Sequence, residues 1–418
     1  MFSRVGEGAA SPAERPFFMS PIPATDPQHV REAPSHSDPY PYYSRLARGA
    51  PIFRDEANGW WVAANSAAVN EVLTNDLCLT RPPGDPVPAA VRAGPMVEIF
   101  GRLVRLRDDE ARRPLKSAVE LALRNLPQGQ VADLVRARAA ELNGELGLPL
   151  DPSKITQFMY ALPVQTIACL LGIPSRKFSD AMSWLGDYGV ATAAAATGFP
   201  APDAGLLDRG HRAAQALLDM VGTLKDDSDT RGPLLDALVL EAGRAGCDEK
   251  DIVANAVGYM LQGYAATASL IGLTLLALAS QPELLAQVKS DRKLLGQIIL
   301  EVVRCDPTTN STLRFMARDG VVAGQAMQRG DLIIVLIAAA NRDPALNRHP
   351  DQFDVMRPDR KYLEFGAGPH ACPADKFATL VALIAVDHLL TLEIPFDRLE
   401  DSLSYAVSGH IRTPLFKS

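Results

Sequence analysis

Three features are missing from these 418 residues: a basic stripe interleaved with aromatics, a pair of cysteines at CxxC spacing, and an apolar N-terminal run. With a net charge of −7, the first absence argues against nucleic-acid binding, which needs a basic face. Cys78, Cys169, Cys247, Cys305 and Cys372 are odd in number and scattered, which speaks against a disulfide framework and for a reducing compartment. The opening stretch MFSRVGEGAASPAERPFF offers no signal peptide or membrane anchor, so a cytoplasmic location is expected. What is present is 47% hydrophobic and 22% charged, the balance of a soluble globular protein with a large core.

One stretch tests that expectation. From Ile252 to Pro282 there is no charged residue, and VGYMLQGYAATASLIGLTLLALAS is long enough to span a bilayer. It is the only such segment and carries Asn255, Gln262, Tyr264 and several Gly, Ser and Thr, which favours the buried central helix of a large helical protein. Helical periodicity dominates elsewhere, from SAAVNEVLTN through ITQFMYALPVQTIACLLG to PELLAQVKSDRKLLGQIILEVVRCD. PIFRDEANGWWVAAN alternates about an Asn-Gly pair and predicts a hairpin. The block after Pro307, punctuated by Gly320, Gly324 and Gly330, predicts a few short strands. The expected fold is mainly α with a minor β region, a single large helical domain. A mobile tail is expected over residues 1–36, which are rich in Pro, Ala, Ser and charge.

The stretch that carries chemistry is FGAGPHACPADKFA, Phe365 to Ala378, which sets one cysteine in a glycine-and-proline loop ahead of an apolar helix. Gly366 and Gly368 permit backbone turns closed to other residues and a close approach to a flat ligand. A sulfur just before a helix feels its positive end, which favours the thiolate, and a single thiolate in such a loop can hold haem iron. A buried free cysteine acting as a small hydrophobe accounts for the loop equally well.

Other segments separate these readings. The run Phe365-Gly366-Ala367-Gly368-Pro369-His370-Ala371-Cys372-Pro373-Ala374 resembles the FGxGxHxCxG haem-binding signature of the cytochrome P450 haem-thiolate monooxygenases, with Ala374 replacing the last glycine. Glu301-Val302-Val303-Arg304 is similar to the family's ExxR motif. Arg357 in FDVMRP matches the arginine completing its Glu-Arg-Arg cluster, and AANRDP and LPVQTIACLLGIP are further family-like segments. Glu301 and Arg304 lie one helical turn apart and can pair, and a carboxylate shared by two arginines can hold loop geometry.

The resemblance implies one catalytic domain of the soluble bacterial type over residues 37–418, with haem b (iron protoporphyrin IX) ligated by Cys372 within its signature loop. It implies haem-propionate partners at Arg112 and Lys116, where the family has a histidine and an arginine, and at Arg314 and His370. It implies a pocket lined by residues 81–100, 188–202, the helix around Gln262–Ala266, PTTNS with Thr309, and the tail loop SGHIR with His410 and Ile411. His410 is expected to be an exposed loop histidine. Separate ferredoxin and ferredoxin reductase partners are implied for a monomer without an anchor, and Arg113 and Lys376 are candidates to steer docking.

The chain departs from the family on the central helix, where an acid–alcohol pair normally relays protons. The matching run is Gln262-Gly263-Tyr264-Ala265-Ala266-Thr267, and the gap-free register puts Ala265 at the acid and Ala266 at the alcohol. Thr267 then falls one place late, about 100° round the helix. Reductive cleavage of dioxygen consumes two protons, which alanines cannot supply. A substrate hydroxyl or carboxylate, Gln262 or Tyr264, ordered water, peroxide as oxidant, or a different chemistry would each resolve this. The expected function is therefore a monooxygenase-type oxidoreductase (EC 1.14) that hydroxylates or similarly oxidises a small to medium organic or natural-product intermediate. The alternatives are a peroxide-driven or non-oxygenating haem-thiolate enzyme, or a non-catalytic haem-dependent ligand-binding protein.

Overall fold

The computed structural model of the chain describes residues 25–148, 151–197 and 202–417. Its first elements are α1 (Tyr40–Arg48), β1 (Ile52–Asp55), β2 (Trp60–Ala63), α2 (Ser66–Thr74) and β3 (Cys78–Leu79). Helices follow: α3 (Pro95–Phe100), α4 (Arg112–Arg124), α5 (Gln128–Leu146), α6 (Pro152–Leu171), α7 (Phe178–Thr197), α8 (Ala204–Asp226), α9 (Pro233–Arg244), α10 (Glu249–Ala279), α11 (Pro282–Ser290) and α12 (Leu295–Cys305). The chain closes with β4 (Thr312–Met316), β5 (Gly320–Val322), β6 (Gln325–Met327), β7 (Leu332–Val335), α13 (Ile337–Ala340), α14 (Asp375–Leu389), β8 (Leu403–Tyr405) and β9 (Pro414–Phe416). The mainly helical expectation with a minor sheet holds.

The uncharged stretch becomes α10, whose first turn is capped by Asp248 accepting from Lys250 N–H. It packs against α6, α14, α8 and α12, which explains why it is apolar all round. Among the described residues it is the one helix long and apolar enough to cross a membrane, and 67% of its most apolar window is buried within the protein. Burial is nearly continuous from Asp251 to Met260 and unbroken from Thr267 to Leu278. Between them Gln262 is exposed, and Leu261 and Gly263–Ala266 are half-buried. The central helix therefore faces open space over six residues only.

The Asn-Gly hairpin forms as expected, β1 pairing antiparallel with β2 from Ile52↔Ala63 to Asp55↔Trp60. The sheet runs β1-β2-β7-β4-β3, with β2 and β7 parallel (Val62↔Ile334) and the other pairs antiparallel. Arg314 lies opposite Ile333 in this sheet.

Most of the tail expected over residues 1–36 falls outside the described residues, but its last part is folded. Val30 and Ala33 are buried in a cluster with Tyr43, Val62 and Ile334. Arg412 donates to the carbonyls of Pro34, His36 and Ser37 and ties this segment to the C-terminal strand region. The boundary was misplaced because that tie spans almost the whole chain, and no local pattern announces it.

Candidate active site

The Cys372 loop is held from several sides. Asn341, from the AANRDP segment, accepts from Leu363 N–H at 2.8 Å, and Gly366 N–H donates to Leu363 O at 2.8 Å. Cys372 N–H donates to Phe365 O at 2.7 Å, closing the turn. Gly366 and Gly368 have φ of 69° and 65°, a region that favours glycine. At Gly368 a Cβ would also sit 2.9 Å from Leu73 O at the end of α2, so no side chain fits there. Ala374, where the family signature has glycine, has φ −111° and ψ 16°, a conformation alanine adopts without strain.

Cys372 is accessible, and Ala374 N–H points at its sulfur at 3.4 Å. Burial nevertheless pushes the thiol pKa up, against the pull of that N–H and of Lys116. Accessible surface combined with shielding from bulk water marks a group on an interior recess. The helix-end contribution expected at this cysteine is present, but burial outweighs it in the free thiol.

Beneath the loop lies a buried ion cluster. Glu301 and Arg304 are fully buried; Glu301 Oε1 accepts from Arg304 Nη2 at 2.7 Å and Nε at 3.0 Å, from Arg357 Nε at 3.3 Å and from Asp354 N–H at 3.0 Å. Arg360 Nε reaches Oε2 at 2.9 Å. Burial alone would raise the Glu301 pKa, but Arg304, Asp354 N–H and Arg357 hold it below the ordinary carboxylate value. The spare hydrogens of Arg304 and Arg357 go to the carbonyls of Arg348, His349, Pro350 and Gln352, bracing the chain that leads into the cysteine loop. Arg360 was missed in the sequence; its only signal is its place three residues after Arg357.

The expected propionate partners gather at one side of this loop. Arg112 Nη1 donates to Pro369 O at 3.0 Å, and Lys116 Nζ donates to Ala371 O while pairing with Glu120 at 3.1 Å. His370 Nε2 meets Asp108 Oδ1 at 2.9 Å, and Asp108 also accepts from Thr80 N–H and Oγ1. Arg314 is buried and donates only within its own strand, to Leu313 O at 2.8 Å and Thr312 Oγ1 at 3.5 Å. Burial lowers its pKa. A buried guanidinium without a bonded carboxylate suits an anionic group supplied from outside the chain.

On α10, Gly263 lets α6 approach: a Cβ there would lie 2.6 Å from Ile167 Cδ1. Gln262 donates back to Gly258 O at 3.1 Å, and the Tyr264 ring packs on Tyr160 at 4.8 Å. Thr267 begins the buried stretch, whereas Ala265 and Ala266 lie in the open one. Ser269 Oγ donates to Ala265 O at 2.7 Å and meets Thr413 Oγ1 at 2.7 Å.

The three candidate pocket residues are brought together, Thr309 forming an isolated bridge with Ile411 next to His410. His410 is not the exposed loop histidine expected. Its Nδ1 meets Ser311 Oγ at 2.8 Å, and its Nε2 is buried with no partner. Burial, then Arg31 and Arg105, pushes its pKa down to about 4. The tail folds inward because Asn310 and Ser311 N–H both donate to His410 O. Glu364 was also missed: it is buried, accepts from Thr308 Oγ1 and Thr309 N–H, and burial pushes its pKa up to about 7.

Two cavities open at the surface. One of about 750 Å³, near Gln215 and Lys250, takes Arg92, Gly94 and Pro95 from the expected 81–100 lining but no residue of the Cys372 loop. The other, about 710 Å³, backs onto Cys372, Lys376 and Arg124. Among the described residues no group of three or more His, Cys, Asp or Glu could hold a metal ion.

A helical fold that sets one accessible cysteine in a glycine loop, with a buried ion cluster bracing that loop and Arg314 buried without a carboxylate partner among the described residues, has the parts a haem-thiolate site requires. The family model "Cytochrome P450" matches residues 212–393. The "Putative cytochrome P450 133B2" of Xylella fastidiosa (strain Temecula1 / ATCC 700964) is 27% identical over 392 residues, 90% of this chain and 94% of that one. The "Cytochrome P450 monooxygenase PikC" of Streptomyces venezuelae is 29% identical over 370 residues, 85% of this chain and 83% of that one. The crystal structure of CalO2 superposes with a TM-score of 0.78 at 25% identity, covering 95% of this chain and 99% of that one. These likenesses together support a bacterial cytochrome P450: a haem b enzyme of the monooxygenase class (EC 1.14) acting on small organic or natural-product molecules.

Proposed function

We propose that Cys372 is the protein ligand to the haem iron and that residues 37–418 form one catalytic domain that oxidises, by hydroxylation or a related step, a small to medium organic intermediate. The observation that carries this reading is the accessible yet shielded Cys372 sulfur in a loop fixed by Phe365 O, Gly366 and Gly368. Bound haem supplies the redox chemistry and activates dioxygen. Arg314 takes a propionate, and Arg112, Lys116 and His370 complete that cationic edge while fixing the loop's position. Phe365 and Ala374 flank the ligand within the loop, and Glu301, Arg304 and Arg357 hold it from below.

Protons reach the site from the substrate or from water it orders. Ala265 and Ala266 occupy the open stretch without a titratable group, Gln262 is turned onto its own helix, Tyr264 is packed on Tyr160, and Thr267 is buried. Those same alanines favour a second reading, peroxide as oxidant, since peroxide brings its own protons. Electrons come from a ferredoxin and its reductase, docked at the exposed Arg113 and Lys376 beside the groove behind Cys372, and the enzyme works as a cytoplasmic monomer.

Replacing Cys372 by Ser is expected to abolish the thiolate signature of the reduced carbon monoxide complex; its survival would rule the ligand assignment out. Turnover on hydrogen peroxide alone, compared with turnover on oxygen plus donors, separates the two oxidants.

A further inference from the structure

Two buried stretches of the fold are each broken at one place. On α10 the break is Leu261–Ala266. On the run that leaves α12, every residue from Glu301 to Ser311 is buried except Thr309. Three residues of the tail join the two breaks. Ile411 bridges to Thr309, and Arg412 N–H donates to Thr308 O at 2.8 Å. Thr413 Oγ1 meets Ser269 Oγ at 2.7 Å, and Ser269 Oγ donates to Ala265 O at 2.7 Å. Thr309 and the alanines of α10 thus adjoin the same short segment.

Behind Thr309 lies the buried carboxyl of Glu364. Its Oε1 accepts from Thr308 Oγ1 and from Thr309 N–H at 3.1 Å, its Oε2 lies 3.1 Å from the same N–H, and the Thr309 hydroxyl is within its reach. Among the described residues no cation stands within ion-pair distance of it. The titratable groups that face it are Asp306, paired with Arg412 at 3.3 Å, and Cys372. Glu301 is held ionised by three arginines, whereas Glu364 has only neutral donors. Burial pushes its pKa up to about 7 against the pull of those donors, so at neutral pH it can both give and take a proton.

We propose that Glu364 and Thr309 form the acid–alcohol relay that α10 lacks: Glu364 hands a proton to the Thr309 hydroxyl, which passes its own to water in the recess. This rests on the reading of the recess as the haem-thiolate site, and names the group in the protein that recharges the water ordered there.

In each transfer the Glu364 O–H bond breaks as a new O–H bond forms on Thr309, whose original proton leaves to the water. The carboxylate then regains a proton from solvent. When dioxygen converts R–H to R–OH and water, the electron donors supply two electrons and this relay supplies the two protons. With hydrogen peroxide as oxidant no electrons are needed. The carboxylate form then takes one of the peroxide's own protons through Thr309 and returns it to the departing oxygen, which leaves as water.

The test uses the ferric haem-loaded enzyme with hydrogen peroxide as the probe and guaiacol as the reductant, so neither the natural substrate nor a redox partner is needed. The expected rate falls as pH drops through about 7, where the carboxylate takes up its proton. Glu364→Gln removes that limb together with about tenfold or more of the rate. Thr309→Val, which keeps the amide and removes the hydroxyl, gives the same loss, and Thr309→Ser restores it. Infrared difference spectra add a readout without turnover: a protonated-carboxyl band that titrates near pH 7, missing from Glu364→Gln and kept in Thr309→Val. A limb and rate that survive Thr309→Val overturn the proposal, and so does the absence of that band below pH 7. Where Glu364→Gln fails to hold haem, the Thr309→Val and Thr309→Ser pair decides alone. The infrared band is read independently of the haem, so a wrong role for Cys372 and a wrong role for Glu364 give different results.

Discussion

Behind the Cys372 loop, Glu301 receives three arginines, whose other hydrogens reach backbone carbonyls and, from Arg360 Nη1, Gln297 Oε1. Around His410 the arrangement is reversed: its Nε2 is buried with no hydrogen-bond partner among the described residues. Both regions bury polar groups, but only the first satisfies them from within the chain. The first is built to hold a shape, and the second is shaped to be completed by something else. A buried ion cluster that is internally satisfied resists the loss of any member, whereas an unsatisfied one costs stability that a ligand can return.

The largest effect that would sharpen this contrast comes from Arg304→Ala, which strands the Glu301 carboxylate in the core. A loss of roughly 3–5 kcal/mol is expected, read as a collapse of the thermal midpoint or of soluble yield; a midpoint within a few degrees of the parent would show the cluster to be dispensable. Arg360→Ala removes the one side chain that, among the described residues, donates to Glu301 Oε2 but leaves Arg304 and Arg357, so about 1–3 kcal/mol is expected.

Glu364 stands between the two regions. Its ordinary value is 4.5 and its folded value about 7, so the native protein keeps a proton that the unfolded chain releases. Stability from this group is complete below about pH 4.5, falls as pH rises to about 7, and levels off above that. Glu364→Gln should therefore be more stable relative to the parent at pH 8 than at pH 5, by up to ~3 kcal/mol. Parallel unfolding curves across that range would contradict the assignment. The smallest effect belongs to the unsatisfied side: Ser311→Ala should cost less than about 1 kcal/mol yet change ligand affinity by freeing the His410 tautomer.

Legibility in the sequence followed the same division. Cys372, Glu301, Arg304 and Arg357 could be read because fixed spacings in short motifs place them, and the uncharged run announced α10 through composition alone. Arg360 and Glu364 were not read, because one more arginine after RP and one glutamate before a glycine loop look like solvated surface. The inward fold of the tail onto Asn310 and Ser311 and the packing of Val30 and Ala33 against Ile334 are contacts between segments far apart in the sequence. Local patterns state which residues share an element, and they say little about which distant loops meet across a cavity.

The six-residue opening in α10 bears on how such an enzyme can change over time. Substitutions in the packed stretches Ala254–Met260 and Thr267–Leu278 are filtered by folding. In the opening, Gly263 is confined by Ile167 and Tyr264 by Tyr160, so Leu261, Gln262, Ala265 and Ala266 are the positions filtered mainly by what the enzyme does. A lineage can thus explore new chemistry at a handful of adjacent codons with its scaffold intact, and a laboratory library confined to those codons would sample the same latitude.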